Sequence, residues 1–140
     1  MVCADDICTD RPGKASSACT VPVKTFQIET DIVNSTWNYN GDKNISTVIF
    51  DPTLKWGIDK NLDLELTVTP YQIDNSSKSI SGIGDTWIKS KWEFFNNNSL
   101  GLAISPFVKV PTAHDGLGNG VWEGGVQLPV NWQLNNLLAN

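Results

Sequence analysis

Apolar and small residues fall on even-numbered positions in six stretches of the chain, with polar or charged residues on the odd positions between them. Leu62, Leu64, Leu66 and Val68 alternate with Asp63, Glu65 and Thr67. Ile88, Ser90, Trp92 and Phe94 alternate with Lys89, Lys91 and Glu93. The same phase runs through Phe26 to Ile32, Val48 to Trp56, Leu100 to Val110 and Trp122 to Leu134. Period two is the signature of a strand with two unlike faces. Six strands are predicted, near 24–37, 47–57, 61–71, 84–95, 99–111 and 121–135. Their connections run long, short, long, short, long, as in an up-and-down meander with tight turns at one end and loops at the other. Pro52, Pro70, Pro106, Pro111 and Pro129 lie within or beside these strands. Proline lacks the N–H that a central ladder needs, so bulges or strand ends must absorb them.

Alternation does not say which face is wet; strand length and the placement of aromatic residues do. Strands of about eleven residues at about 3.3 Å each reach roughly 36 Å, and a tilt near 45° projects that onto about 25 Å, the apolar height of an outer-membrane barrel. Phe26, Trp56, Trp92, Phe94 and Trp132 would gather at the short-turn rim, and Trp37, Tyr71 and Trp122 at the long-loop rim. Such girdles sit at lipid headgroup level. Trp37 and Tyr71 are in the odd phase, which makes the long-loop girdle the weaker. The expected fold class is all-β: an antiparallel meander of about six long strands, part of a transmembrane outer-membrane β-barrel. Residues 1–22 lack periodicity and are read as an irregular N-terminal segment, with 1–4 a remnant of a signal peptide, and 23–140 as an incomplete barrel.

A net charge of −5 and an isoelectric point near 4.6 leave no basic stripe for nucleic acid. No run of 18 apolar residues is present, so a membrane helix is not expected, although spanning strands remain open. Cys8 and Cys19 fit either a bridge closing a short loop, worth about 3 kcal/mol in an oxidising compartment, or two thiols in a tail.

With the even face toward lipid, the odd face lines a lumen. Its expected lining is Glu29, Asp31, Asp51, Lys55, Asp63, Glu65, Asp85, Trp87, Lys89, Lys91, Lys109 and Glu123. Opposite charges there should pair across strands, and the excess of carboxylate should disfavour anions. Trp87 and Phe107 suit either an apolar solute or contacts to a plug. Asp63 and Glu65 stand two apart on one face, a spacing open to glycosidase chemistry but better explained as lumen lining. His114 in its glycine-rich loop matches neither a phosphate nor a calcium motif, and turn chemistry accounts for it. No catalytic residue, cofactor or metal site is expected. The expected partners are the lipid bilayer and a small organic solute.

Cys8-Thr9-Asp10-Arg11-Pro12-Gly13-Lys14 with Cys19-Thr20, Asp51-Pro52-Thr53-Leu54-Lys55-Trp56-Gly57, Gly82-Ile83-Gly84-Asp85, Pro106-Phe107-Val108-Lys109-Val110-Pro111-Thr112 and Trp122-Glu123-Gly124-Gly125 follow in order. Together they resemble the meta-pathway phenol-degradation family of bacterial outer-membrane transporters. The resemblance implies a Gram-negative outer-membrane barrel, assembled by the barrel-assembly machinery, that moves small organic, often aromatic, compounds and is not an enzyme. Members of that family are usually about twice as long, so this chain is expected to be the N-terminal part of a roughly twelve-stranded barrel, six strands being too few to close around a lumen. Two rivals keep the even face inward: a secreted β-sandwich of the carbohydrate-binding type with Trp37, Trp87 or Trp122 as stacking platforms, and a soluble ligand-carrying barrel.

Overall fold

The structure, a computed structural model, describes residues 7–10, 16–39, 43–75, 78–97 and 99–132. They form one antiparallel sheet of nine segments and no helix. The segments are β1 (Phe26–Tyr39), β2 (Lys43–Asp59), β3 (Leu62–Thr67), β4 (Tyr71–Asp74), β5 (Ile80–Gly82), β6 (Thr86–Asn96), β7 (Leu100–Val110), β8 (Glu123–Gln127) and β9 (Val130–Trp132).

Registers join these nine into six runs. Thr53 lies opposite Thr67 of β3, and four residues earlier Ile49 lies opposite Tyr71 of β4 in unbroken step. Thr67 with Trp87 and Gln72 with Gly82 likewise place β3–β4 and β5–β6 in one register. Ser105 with Gln127 and Leu102 with Val130 do the same for β8 and β9 along β7. The result is a six-run meander. Prolines cause two of the interruptions. Pro52 accepts from the Val68 amide at 3.1 Å but has no N–H to return, and the ladder lapses over 68–70. Pro129 accepts from the Ala103 amide at 3.0 Å, returns nothing, and separates β8 from β9. Pro70 falls in the first gap and Pro111 just beyond β7, while Pro106 stays within β7 opposite Val126.

Runs β1 and β2 extend further than expected, to Tyr39 and from Lys43, so the polar Asn38–Ser46 stretch is mostly strand. β4 and β5 likewise shorten the expected 72–83 loop. The end of the last expected strand, 133–135, lies outside the described residues, as do 1–6 and 11–15.

Burial is inverted relative to a water-soluble sheet. Lys55, Asp63, Glu65 and Lys91 are at most 2 % exposed, whereas Ile28 is 71 %, Trp92 54 % and Val126 59 % exposed. Charges occupy the covered face, and Phe26, Trp56, Leu64, Ile88 and Val108 stand open on the other. An even face buried against a second layer, as both soluble rivals require, is not what the sheet adopts. Among the described residues the sheet is open: β1 forms one edge, β8 and β9 the other, and the two edges do not pair with each other.

One expectation needs correction. The even-out phase does not persist to the long-loop end, because the gaps at 68–70 and 83–85 exchange the faces. Gln72 donates to the Leu117 carbonyl at 2.9 Å, and a Cβ on Gly82 would meet His114, so both even positions face the loop after β7. Asp85, an odd position, faces that same loop through the Ala113 amide at 3.1 Å. Tyr71, the neighbour of Gln72, therefore points to the apolar side, where it is exposed. Phe50, at φ 58°, lies beside this exchange and is one of two non-glycine residues with positive φ among the described residues. Tyr71 thus strengthens the long-loop aromatic group instead of weakening it.

Candidate functional site

The candidate site is the charged face, built row by row from the registers. Lys55 of β2 lies opposite Glu65 of β3, and Glu65 in turn opposite Lys89 of β6. Asp63 lies opposite Lys91. Trp87 lies opposite Lys109, and Lys109 opposite Glu123 of β8. Asp31 and Asp51 face each other across β1 and β2. Like charges directly opposite are unfavourable in a sheet unless something nearby compensates, and Asp51 accepts from the Thr69 hydroxyl at 3.1 Å. Glu29 is opposite Thr53, with Lys55 two residues along β2.

Burying these charges is tolerable only because they are paired. Lys55 Nζ lies 2.8 Å from Glu29, and Lys91 Nζ 3.0 Å from Glu65. Both ammonium groups also meet Asp10 of the N-terminal segment, Lys55 at 2.7 Å and Lys91 at 3.0 Å. One carboxylate therefore bridges β2 and β6 across β3. Burial works against the charge on Asp10, but Lys91 and Lys55 outweigh it and hold its carboxyl below the ordinary carboxylate value.

The N-terminal segment is laid over this face as a strap. A disulfide joins Cys8 to Cys19 with Cα atoms 5.8 Å apart. The Cys8 carbonyl accepts from Gln27 at 2.8 Å, the Asp10 amide donates to Glu29 at 3.1 Å, and the Val21 amide donates to Asp63 at 3.1 Å. At the far side Asn131 of β9 accepts from the Ala18 amide at 3.1 Å and donates to the Ser17 hydroxyl at 2.8 Å. Ala18 and Val21 are fully buried. The strap thus reaches from the first run to the last, at the level of Gly57 and Asp63 beside the short turns. It is non-strand where described, and Asp10 lies outside every periodic stretch, whereas its partners Gln27 and Asn131 are odd positions within the first and last of them.

At the opposite end the glycine-rich loop folds back over the same face. Lys109 pairs with Glu123 at 2.9 Å and Asp85 at 3.4 Å, and donates to Asn119 at 2.7 Å. Gly116 and Gly120 take the left-handed turn conformations, φ 87° and 67°. His114 Nδ1 contacts the Asp115 carbonyl within the loop. Among the described residues no cluster of His, Cys, Asp and Glu could hold a metal.

Between strap and loop lies a cavity of about 380 Å³, walled by Glu29, Asp31, Asp51, Lys55, Glu65, Trp87 and Lys89 and floored by Asp10 and Ser16. Trp87 meets Phe107 there, ring centroids 5.5 Å apart and tilted 47°. Seven of the twelve proposed lining residues thus share one cavity. Asp63 and Lys91 lie beneath the strap, and Asp85, Lys109 and Glu123 close against the glycine-rich loop. Asp63 and Glu65, side by side in β3, are occupied by Val21 and by Lys91, an arrangement of structural pairing with no access for a glycoside.

The family model described as "Putative MetA-pathway of phenol degradation" matches residues 9–138, nearly all of the chain. The chain belongs to this family. No curated protein and no solved structure matches it. The phenol-degradation family match covers the strap from Thr9 onward as well as the sheet, so the segment that crosses the charged face lies within the matched region.

Proposed function

We propose that this chain forms part of a bacterial outer-membrane β-barrel that passes small organic solutes, with no catalytic chemistry of its own. The observation that carries this reading is the inversion of the sheet: its lysines and carboxylates are covered and paired, while its apolar rows stand exposed. In water such a surface would aggregate; against acyl chains it is the stable arrangement. The Cys8–Cys19 bond supports an oxidising compartment on the route to that membrane. The open edges support closure by further strands, since six runs fall short of the about eight that a filled barrel needs. The described residues from 23 onward then supply wall, and the described residues before 23 an inner strap. The family supports a solute of organic, phenol-like kind.

Three measurements test this. The complete protein should co-fractionate with outer membranes and migrate differently on gels before and after heating, and in liposomes it should admit small aromatic solutes. A complete protein that stays monodisperse without detergent would overturn the reading.

A further inference from the structure

We propose that the N-terminal strap is an internal plug closing the passage at its short-turn end, latched by the Asp10 carboxylate on Lys55 and Lys91, and that solute passes only when this latch opens. The inference rests on the channel reading above. Three observations carry it. First, the strap is on the inner face and crosses the whole sheet, from Gln27 and Glu29 of β1 to Asn131 of β9, so nothing can travel along that face at this level without moving it. Second, its two ends are held differently. The Val21–Thr25 end is built into the wall: Lys24 donates to the Gly57 carbonyl at 2.8 Å, Gly57 donates to Thr25 at 3.0 Å, and Val21 is bound to Asp63. The Asp10 end has no backbone-to-backbone bond to the sheet among the described residues and is held by sheet side chains: Gln27 on the Cys8 carbonyl, Glu29 on the Asp10 amide, and Lys55 and Lys91 on the Asp10 carboxylate. Third, the cavity above is floored by Asp10 itself, with the Trp87–Phe107 pair in its neighbourhood, so a solute arriving from the loop side meets the latch directly.

The latch is electrostatically poised. Asp10 is faced by Glu29 from β1, Lys55 from β2, Glu65 from β3 and Lys91 from β6. If Asp10 withdraws, Lys55 keeps Glu29 and Lys91 keeps Glu65, so neither lysine is left buried without a partner. Opening therefore avoids the large penalty of an orphaned interior charge. The Cys8–Cys19 bond joins the chain before Asp10 to the chain after it.

The test is current through the complete protein in planar bilayers. Asp10→Asn removes the charge and should raise the open fraction or unit conductance several-fold, and Asp10→Glu, which keeps the charge, should bring it back toward wild type. Heat-dependent gel mobility checks that each variant is a folded barrel. Equal currents from wild type, Asp10→Asn and Asp10→Glu would overturn the plug while leaving the channel intact. Folded barrels that carry no current in any form would overturn the channel reading and the plug with it.

Discussion

At the scale of single residues, the strap and the sheet meet at two points where one substitution has a calculable consequence. Gly57 is the first. A Cβ there would lie 2.1 Å from the Pro22 carbonyl oxygen and 2.6 Å from that of Val21, backbone atoms that cannot swing aside. Gly57→Ala should therefore lift the strap from β2 and lower stability by about 1–3 kcal/mol, the usual cost of forcing atoms into filled space; urea unfolding in detergent measures it. Asp10 is the second. Its carboxyl sits below the ordinary value because Lys91 and Lys55 outweigh its burial. A lowered native value means the fold prefers the ionised form, so this contribution is complete above the free-carboxyl value, about 4, and disappears as the pH falls through the lower native one. Protection of the Ser17 amide, which donates to Asp10 Oδ1 at 2.6 Å, should hold from pH 7 to 5 and fail below about pH 4. Hydrogen exchange reads this directly. The acid-induced loss should be absent from Asp10→Asn, which lacks the group and starts from the lower protection.

At the scale of the strand, the question is which face a side chain serves, and substitution can answer it residue by residue. Leu64 stands on the exposed apolar face and Thr67, directly opposite Trp87, on the covered face, where its hydroxyl lies 2.8 Å from that of Thr53. If the apolar face meets lipid as proposed, Leu64→Arg or Ile104→Arg should cost about 2–4 kcal/mol by placing a charge near the hydrocarbon midplane, and Thr67→Arg far less because Thr67 lines the polar cavity. Folding titrations into lipid vesicles measure both; equal costs would contradict the face assignment. Much of this layer was legible beforehand. The alternation in Leu62–Thr67 and Thr86–Asn96 marks both strand and face, because each residue type is there for what it touches. The exchange of faces at the long-loop end is legible too: in Tyr71-Gln72-Ile73-Asp74 the apolar residues are odd. Pro52 and Pro70 mark where the exchange occurs. The strap was not legible. Its contacts use backbone amides and single polar side chains without period, and a hydrogen bond from Val21 to Asp63, 42 residues away, leaves no local trace. Likewise the pairing of Cys8 with Cys19 was one of two arrangements the spacing allowed.

For the molecule as a whole, the charge of the covered face sets what the proposed passage would admit. Eight carboxylates, Glu29, Asp31, Asp51, Asp63, Glu65, Asp85, Glu93 and Glu123, share the covered face with four lysines, Lys55, Lys89, Lys91 and Lys109. Where lysines are present they are largely absorbed: Lys55 and Lys91 by Glu29, Glu65 and Asp10, and Lys109 by Asp85 and Glu123. Eight carboxylates against four lysines leave these face residues negative in sum, and Asp31 and Asp51 stand opposite each other at the wall of the cavity that Lys89 also lines. In the proposed barrel a low-dielectric wall around that pair would focus its field into the water of the passage. In the complete protein a salt gradient across a bilayer should therefore give a reversal potential of cation-selective sign. Replacing Asp31 and Asp51 together by Asn should reduce the cation-to-anion ratio by about two- to fivefold, the equivalent of about 0.5–1 kcal/mol of attraction for a hydrated ion passing a few ångströms from a charge. The effect should shrink at 1 M salt, where screening acts over about 3 Å. A neutral aromatic solute gains nothing from this field, so its entry should be unchanged by the double substitution. A ratio that stayed the same while solute entry fell would place the pair in solute contact and remove it from the selectivity of the channel.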